Sequence, residues 1–181
     1  MIVGYIIQGR CKGYGQNTTM HPLPLLQQRE IEANVIAPLI RAFAAEVGEV
    51  HAREVLAGVI EGLARESGCA AAVTIGGNDL SHLRQVVERW RAGGALELTV
   101  LRDDAEALEF DVTRCQYAEM YRRLGLADLG PILSCSRDGT MIDGFNPGIT
   151  FTRTQTLMAG ATHCDFRYRK ASERPADDAA R

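Results

Sequence analysis

The 181-residue chain is 46% hydrophobic and 24% charged, enough apolar material for one domain with one sizeable core. Its net charge of −3 and pI near 5.8 exclude nucleic acid and anionic membrane as partners, because such surfaces need clustered excess Lys and Arg. No run approaches the ~18 apolar residues of a membrane span. The apolar start from Met1 to Ile7 lacks the charged and hydrophobic regions of a secretory signal, so a cytoplasmic protein is expected.

Residues Gly9 to Pro24 carry Gly, Asn, Thr and two prolines and read as an irregular arm over 1–24. From Leu25 to Val47 the pattern is helical, with Ile31, Val35, Leu39 and Phe43 four apart. Pro38 should kink or split this helix, and Gly48 should stop it. A second helix has Val55, Leu56, Val59, Ile60 and Leu63 as its expected core face, with Arg53, Glu54, Glu61 and Arg65 outside. Ser67-Gly68 is its expected end. Asn78 or Asp79 should cap a third helix with Leu83, Val86, Val87 and Trp90 inside and Gly93-Gly94 as its stop.

After Gly94 the period becomes two. Leu96, Leu98 and Val100, then Leu108, Phe110 and Val112, predict a β-hairpin turning at Arg102 to Ala105 with one buried face. Cys115 to Gly125 reads as a helix, followed by a short helix or turn to Ser134. A Gly- and Asp-rich link from Arg137 to Gly148 leads to strands over Ile149 to Leu157 and Cys164 to Tyr168. The tail 171–181 has no apolar pattern and is expected to be disordered. The order predicts an α+β fold: N-terminal helices packed on a mostly antiparallel four-stranded sheet, in one domain over 25–170.

The five cysteines (Cys11, Cys69, Cys115, Cys135 and Cys164) are odd in number and widely spread, which argues against a disulfide framework. The bland reading of each is a buried small hydrophobe. Three fall in the last third. Cys115 is expected at a helix N-terminus, where the macrodipole lowers a thiol pKa. Cys135 lies three residues before Asp138, a carboxylate that would raise it. Cys164 should share a face with Phe166 and Tyr168, leaving Asp165, Arg167 and Arg169 as a solvated or ion-paired face. Arg153 shares a strand face with Phe151 and must find an anion. That anion is either a substrate carboxylate or an internal partner, Asp111, Asp138 or Asp143, unless Arg153 is a strand-edge residue that simply reaches solvent. His163 adjoins Cys164 but need not meet it. No P-loop, Gly-x-Gly-x-x-Gly or His-Glu-x-x-His is present. Gly76-Gly77-Asn78-Asp79 reads as a capping turn before an anion site. A zinc site built from Cys115, Cys135, Cys164, His163 or Asp138 is the alternative to a thiol-based site without cofactor.

The segment Phe110-Asp111-Val112-Thr113-Arg114-Cys115, then Leu133-Ser134-Cys135, Asp138, Arg153-Thr154, Gly160 and the closing Cys164-Asp165-Phe166-Arg167-Tyr168-Arg169, resembles the C-terminal half of the L-2-amino-thiazoline-4-carboxylic acid hydrolase family. The resemblance implies hydrolytic opening of a C–N bond in a small carboxylated cyclic amidine, amide or imide. It selects Cys115, Cys135, Asp138, Arg153 and Cys164 without assigning their roles. A thiolate of Cys115 or Cys135 attacking the ring carbon, Arg153 gripping the carboxylate and Asp138, or His163 if it reaches, moving the proton is the mechanism this set suggests. Gly160 and Cys164 before an aromatic strand also resemble the small-molecule-binding domains related to 4-vinyl reductase, which would make the protein a non-catalytic ligand or metal sensor. A scaffold acting through its helices is the third reading. The partner is a small molecule in the first two, and a homo-oligomer stays open in all three.

Overall fold

A computed structural model of the chain describes residues 23–171, so most of the expected arm and tail lies outside the described residues. The elements are α1 (Leu25–Val47), α2 (Glu49–Ile75), α3 (Leu80–Arg91), β1 (Leu96–Asp103), β2 (Ala107–Cys115), α4 (Gln116–Arg123), α5 (Ser136–Phe145), β3 (Ile149–Thr152) and β4 (Cys164–Lys170). A π-helical turn, Pro131–Cys135, leads directly into α5.

Alternation after Gly94 builds an antiparallel sheet of order β1-β2-β4-β3. Its register sets Phe110 opposite Phe166 and Leu108 opposite Tyr168, with Phe151 opposite Tyr168. The rings form a ladder: Phe110 stacks on Phe166 at 4.9 Å and Phe151 on Tyr168 at 4.7 Å. Cys164, Phe166 and Tyr168 are all buried, as the alternation predicts. Fully burying a side chain of this size contributes about 1.5–3 kcal/mol. On the other face Arg167 pairs with Asp111 and Arg169 with Glu109, the ion-paired surface expected of that row. The second strand of the hairpin keeps one face buried, whereas Val100 and Leu101 on the edge strand β1 are exposed.

Helices cover the buried face of the sheet. The core of α1 is a row of small residues, Ala33 and Ala37, with Ile40. Ile31, Val35, Leu39 and Phe43, whose spacing makes the helix legible, are exposed. Pro38 neither splits nor ends α1, which runs unbroken over 23 residues; its ring lies on the exposed side. On α2 only Leu56 and Ile60 of the expected face are buried, together with Ala52, Ala64 and Gly68. That helix also passes through Ser67-Gly68 and ends at Gly76, whose φ of 82° closes it in the left-handed region. Gly76-Gly77-Asn78-Asp79 is a capping turn, with Asp79 accepting from the His82 amide.

The expected link from Arg137 to Gly148 is largely a helix. Its glycines are there for packing, not for a loop. A Cβ on Gly144 would lie 2.0 Å from the Arg65 carbonyl oxygen, and one on Gly68 would lie 2.1 Å from that of Met141. The two glycines let α2 and α5 cross with their backbones in contact, which seats α5 between α2 and the sheet. The third strand is shorter than expected, so Arg153 lies just past its end, and a 3-10 turn covers Leu157–Ala159. Among the described residues no helix is long and apolar enough to cross a membrane.

The α2–α5 crossing has a direct test. Gly144→Ala should lower stability in urea unfolding by about 3 kcal/mol, because a rigid carbonyl, not a flexible side chain, occupies the new methyl's place. An unchanged midpoint would refute the close crossing.

Candidate functional site

Five residues of the last third meet at one cavity of about 130 Å³, lined by Cys115, Cys135, Asp138, Arg153 and Cys164 among others. An engineered apolar cavity of about 150 Å³ elsewhere holds benzene, so this space is on the scale of a single small ring. Each residue arrives from a different element. Cys115 ends β2 and caps α4, its sulfur accepting from the Ala118 amide at 3.4 Å. Cys135 closes the π-helical turn, and Asp138 follows it three residues on in α5, one turn further on the same side. Cys164 opens β4 and accepts from the Leu157 amide at 3.1 Å. Among the described residues Cys135 alone of the three accepts no backbone amide at its sulfur.

Arg153 finds its anion inside the protein. Its guanidinium donates to the Asp138 carboxylate and to the Cys135 carbonyl at 2.9 Å. It also lies 5.1 Å from the Phe166 ring centroid and 5.6 Å from that of Phe151, within cation–π range. Of its three expected internal partners, Asp138 is the one used. Asp143 pairs with Arg65 across 3.7 Å, and Asp111 serves Arg167.

Two further cations line the same cavity: Arg29 from α1 and Arg137 from α5. They share one carboxylate, with Glu32 Oε2 at 2.6 Å from Arg29 and 3.5 Å from Arg137. Three guanidiniums therefore face two carboxylates, Glu32 and Asp138, which leaves one unit of positive charge for a guest. The residues were invisible to pattern reasoning, since a lone arginine in a helix carries no motif.

Burial sets the titration of the site. It pushes the Cys115 thiol up to about 11, against the Ala118 amide that favours thiolate. Burial and then the Asp138 charge push the Cys135 thiol up to about 12, with Arg153 opposing. Burial raises Cys164 as well. The lowered pKa expected of Cys115 from its helix N-terminus is thus overturned, because desolvation outweighs a helix of only eight residues. Burial also raises Asp138 above the ordinary carboxylate range, with Arg153 pulling hardest the other way.

His163 does not line the cavity. It bonds Gln155 and lies 3.8 Å from Asp111. Among the described residues no group of three or more His, Cys, Asp or Glu side chains is placed to hold a metal ion.

The family model for L-2-amino-thiazoline-4-carboxylic acid hydrolase matches residues 28–168. No curated protein matches the sequence. Among solved structures, the phenol-responsive sensory domain of the transcription activator PoxR, determined with phenol, is similar with a TM-score of 0.47 and 13% identity. That match covers 78% of this chain and 75% of the other.

The raised thiols predict slow alkylation. At pH 7.5 iodoacetamide should label Cys115 and Cys135 at least roughly 10²-fold more slowly than a free thiol, since only thiolate reacts. Peptide mapping should show the rate climbing through pH 9–11. The same shifts make stability fall as pH rises past the ordinary thiol value of 9.0, because the unfolded chain ionises first. Labelling at the free-thiol rate would contradict the burial argument.

Proposed function

The chain belongs to the L-2-amino-thiazoline-4-carboxylic acid hydrolase family, and we propose that it opens a C–N bond in a small cyclic amidine, amide or imide bearing a carboxylate. The observation that carries this reading is a thiol and a half-buried carboxyl one helical turn apart, at a small cavity with surplus positive charge. The cavity is where the ring would bind.

Cys135 is the nucleophile in this account. Its sulfur is not held by a backbone amide, and it sits beside Asp138 and Arg153. Its thiol is protonated at rest, so it needs a base, and a carboxyl raised by burial is a stronger base than an ordinary one. Asp138 takes the thiol proton as sulfur bonds to the ring carbon and the C=N or C=O electron pair moves to the heteroatom. Collapse of the tetrahedral carbon breaks the ring C–N bond, and Asp138 gives its proton to the leaving nitrogen. Water then adds to the thioimidate or thioester with Asp138 again taking a proton. Sulfur leaves and recovers its proton from Asp138. One water is consumed and the enzyme is regenerated. Sulfur and a carboxyl relay complete this sequence, and no metal enters it.

Arg153 is the positioning residue for Asp138, since its donors are already engaged there and at the Cys135 carbonyl. The substrate carboxylate falls instead to Arg29 and Arg137, which share a single counterion. Cys115 and Cys164, whose sulfurs accept amides, form the wall beside the reacting atom.

One observation favours a second reading, a binding domain without turnover: burial keeps all three thiols protonated. The test is incubation with L-2-amino-thiazoline-4-carboxylate, the same ring without its carboxylate, and a set of lactams and imides. Ring opening of the carboxylated compounds supports the hydrolase; binding without turnover across the set supports the sensor. Cys135→Ser should lower kcat by at least about 10²-fold. Arg137→Met should raise KM with kcat nearly unchanged, and only for substrates with a carboxylate. Full turnover in both Cys115→Ser and Cys135→Ser would end the thiol mechanism.

A further inference from the structure

The apolar rows of the first two helices face away from the domain. On α1 Ile31, Val35, Leu39, Phe43 and Val47 are 40–63% exposed, and on α2 Val55, Val59 and Leu63 are 42–55% exposed. Four-residue spacing places each set along one side of its helix. Singly exposed apolar residues need no explanation, but continuous stripes on adjacent helices do.

A second observation falls on the same helix. Gly58 and Gly62 lie four apart inside α2, where glycine weakens a helix. A Cβ on either would meet nothing within 4 Å. Gly68, on the same helix, is required by the α5 backbone. For Gly58 and Gly62 the described residues supply no such requirement. Glycines interleaved with an exposed valine stripe suit a helix backbone that approaches from outside.

We propose that the α1–α2 hairpin is a homodimer interface, in which the hairpin of a second copy packs across Gly58 and Gly62. The area fits this occupant: the eight side chains leave on the order of 700 Å² uncovered, against roughly 800 Å² per partner in a standard interface. A two-fold axis brings the same apolar stripes face to face. Charges of both signs lie beside the glycines on α2, Glu54, Glu61 and Arg65, so two identical surfaces meet there without a like-charge wall. The net charge of −3 opposes self-association little. This inference does not depend on the reaction proposed above.

Sedimentation equilibrium of the full chain tests it. At about 100 μM, above the dissociation constants of ordinary stable interfaces, the expected mass is twice 19.8 kDa. Leu39→Asp with Val59→Asp should raise the dissociation constant at least roughly 100-fold. The circular-dichroism spectrum should stay helical, because both positions face solvent in a single copy. Gly58→Leu with Gly62→Leu separates the glycine argument from the stripe. Those changes improve helix propensity in the single chain, yet should break the dimer by blocking close approach. A monomer for the parent chain overturns the proposal, including one whose stripes are covered by its own residues 1–22. A dimer indifferent to both double variants overturns it equally.

Discussion

Arg153 is the joint of this protein. Its guanidinium reaches back from the end of β3 to the Asp138 carboxylate and the Cys135 carbonyl, while its flat face lies over Phe166 and Phe151. One side chain thus ties α5 and the turn before it to the aromatic ladder of the sheet. A cation over that ladder without a carboxylate, or a carboxylate there without a cation, would leave a largely desolvated charge without its partner. The pair therefore fixes where α5 starts, and with it the position of Cys135 one turn away from Asp138.

The consequences for chemistry follow from the same burial. Burial at this small cavity raises every thiol that lines it and raises the carboxyl too, so reactivity at rest is suppressed. The proposed reaction therefore needs a base at the moment of attack, and a carboxyl above its ordinary range is suited to that task. The surplus guanidinium charge attracts the kind of guest that a neutral apolar hole of this size would not. In the proposed function, selectivity for a small carboxylated ring is a matter of volume and charge together.

The sheet was largely legible in the sequence, because a period of two assigns every side chain to a face. The burial of Cys164, Phe166 and Tyr168 and the ion pairing of Arg167 and Arg169 follow from that period alone. Helix existence was legible too, but not helix orientation. In α1 large apolar residues and alanines occupy different sides, and the core takes the alanines because α1 packs closely on α2 and α4. The fifth helix was read as a link because Gly139 and Gly144 are ordinary loop signals; what they serve is contact with Phe151 and with the Arg65 backbone, a long-range fact. Convergence of the five site residues was visible only as a shared segment. The Cys115 thiol is raised, not lowered, because burial by residues distant in sequence outweighs the local helix dipole. Arg29 and Arg137 had no local signal at all.

The central claim is that Cys135 bonds to the ring carbon while Asp138 carries the proton. Its most direct measurement is the mass of the protein in acid-quenched reactions with L-2-amino-thiazoline-4-carboxylate, followed by peptide mapping. The account predicts a mass increase equal to the ring-opened fragment on the peptide holding Cys135, formed and lost as substrate is consumed. Slower formation and slower loss are both expected in Asp138→Asn, where neither the thiol nor the water has its base. Consumption of substrate at the full rate by a Cys135→Ser variant, with no adduct on any thiol of the parent protein, would contradict it.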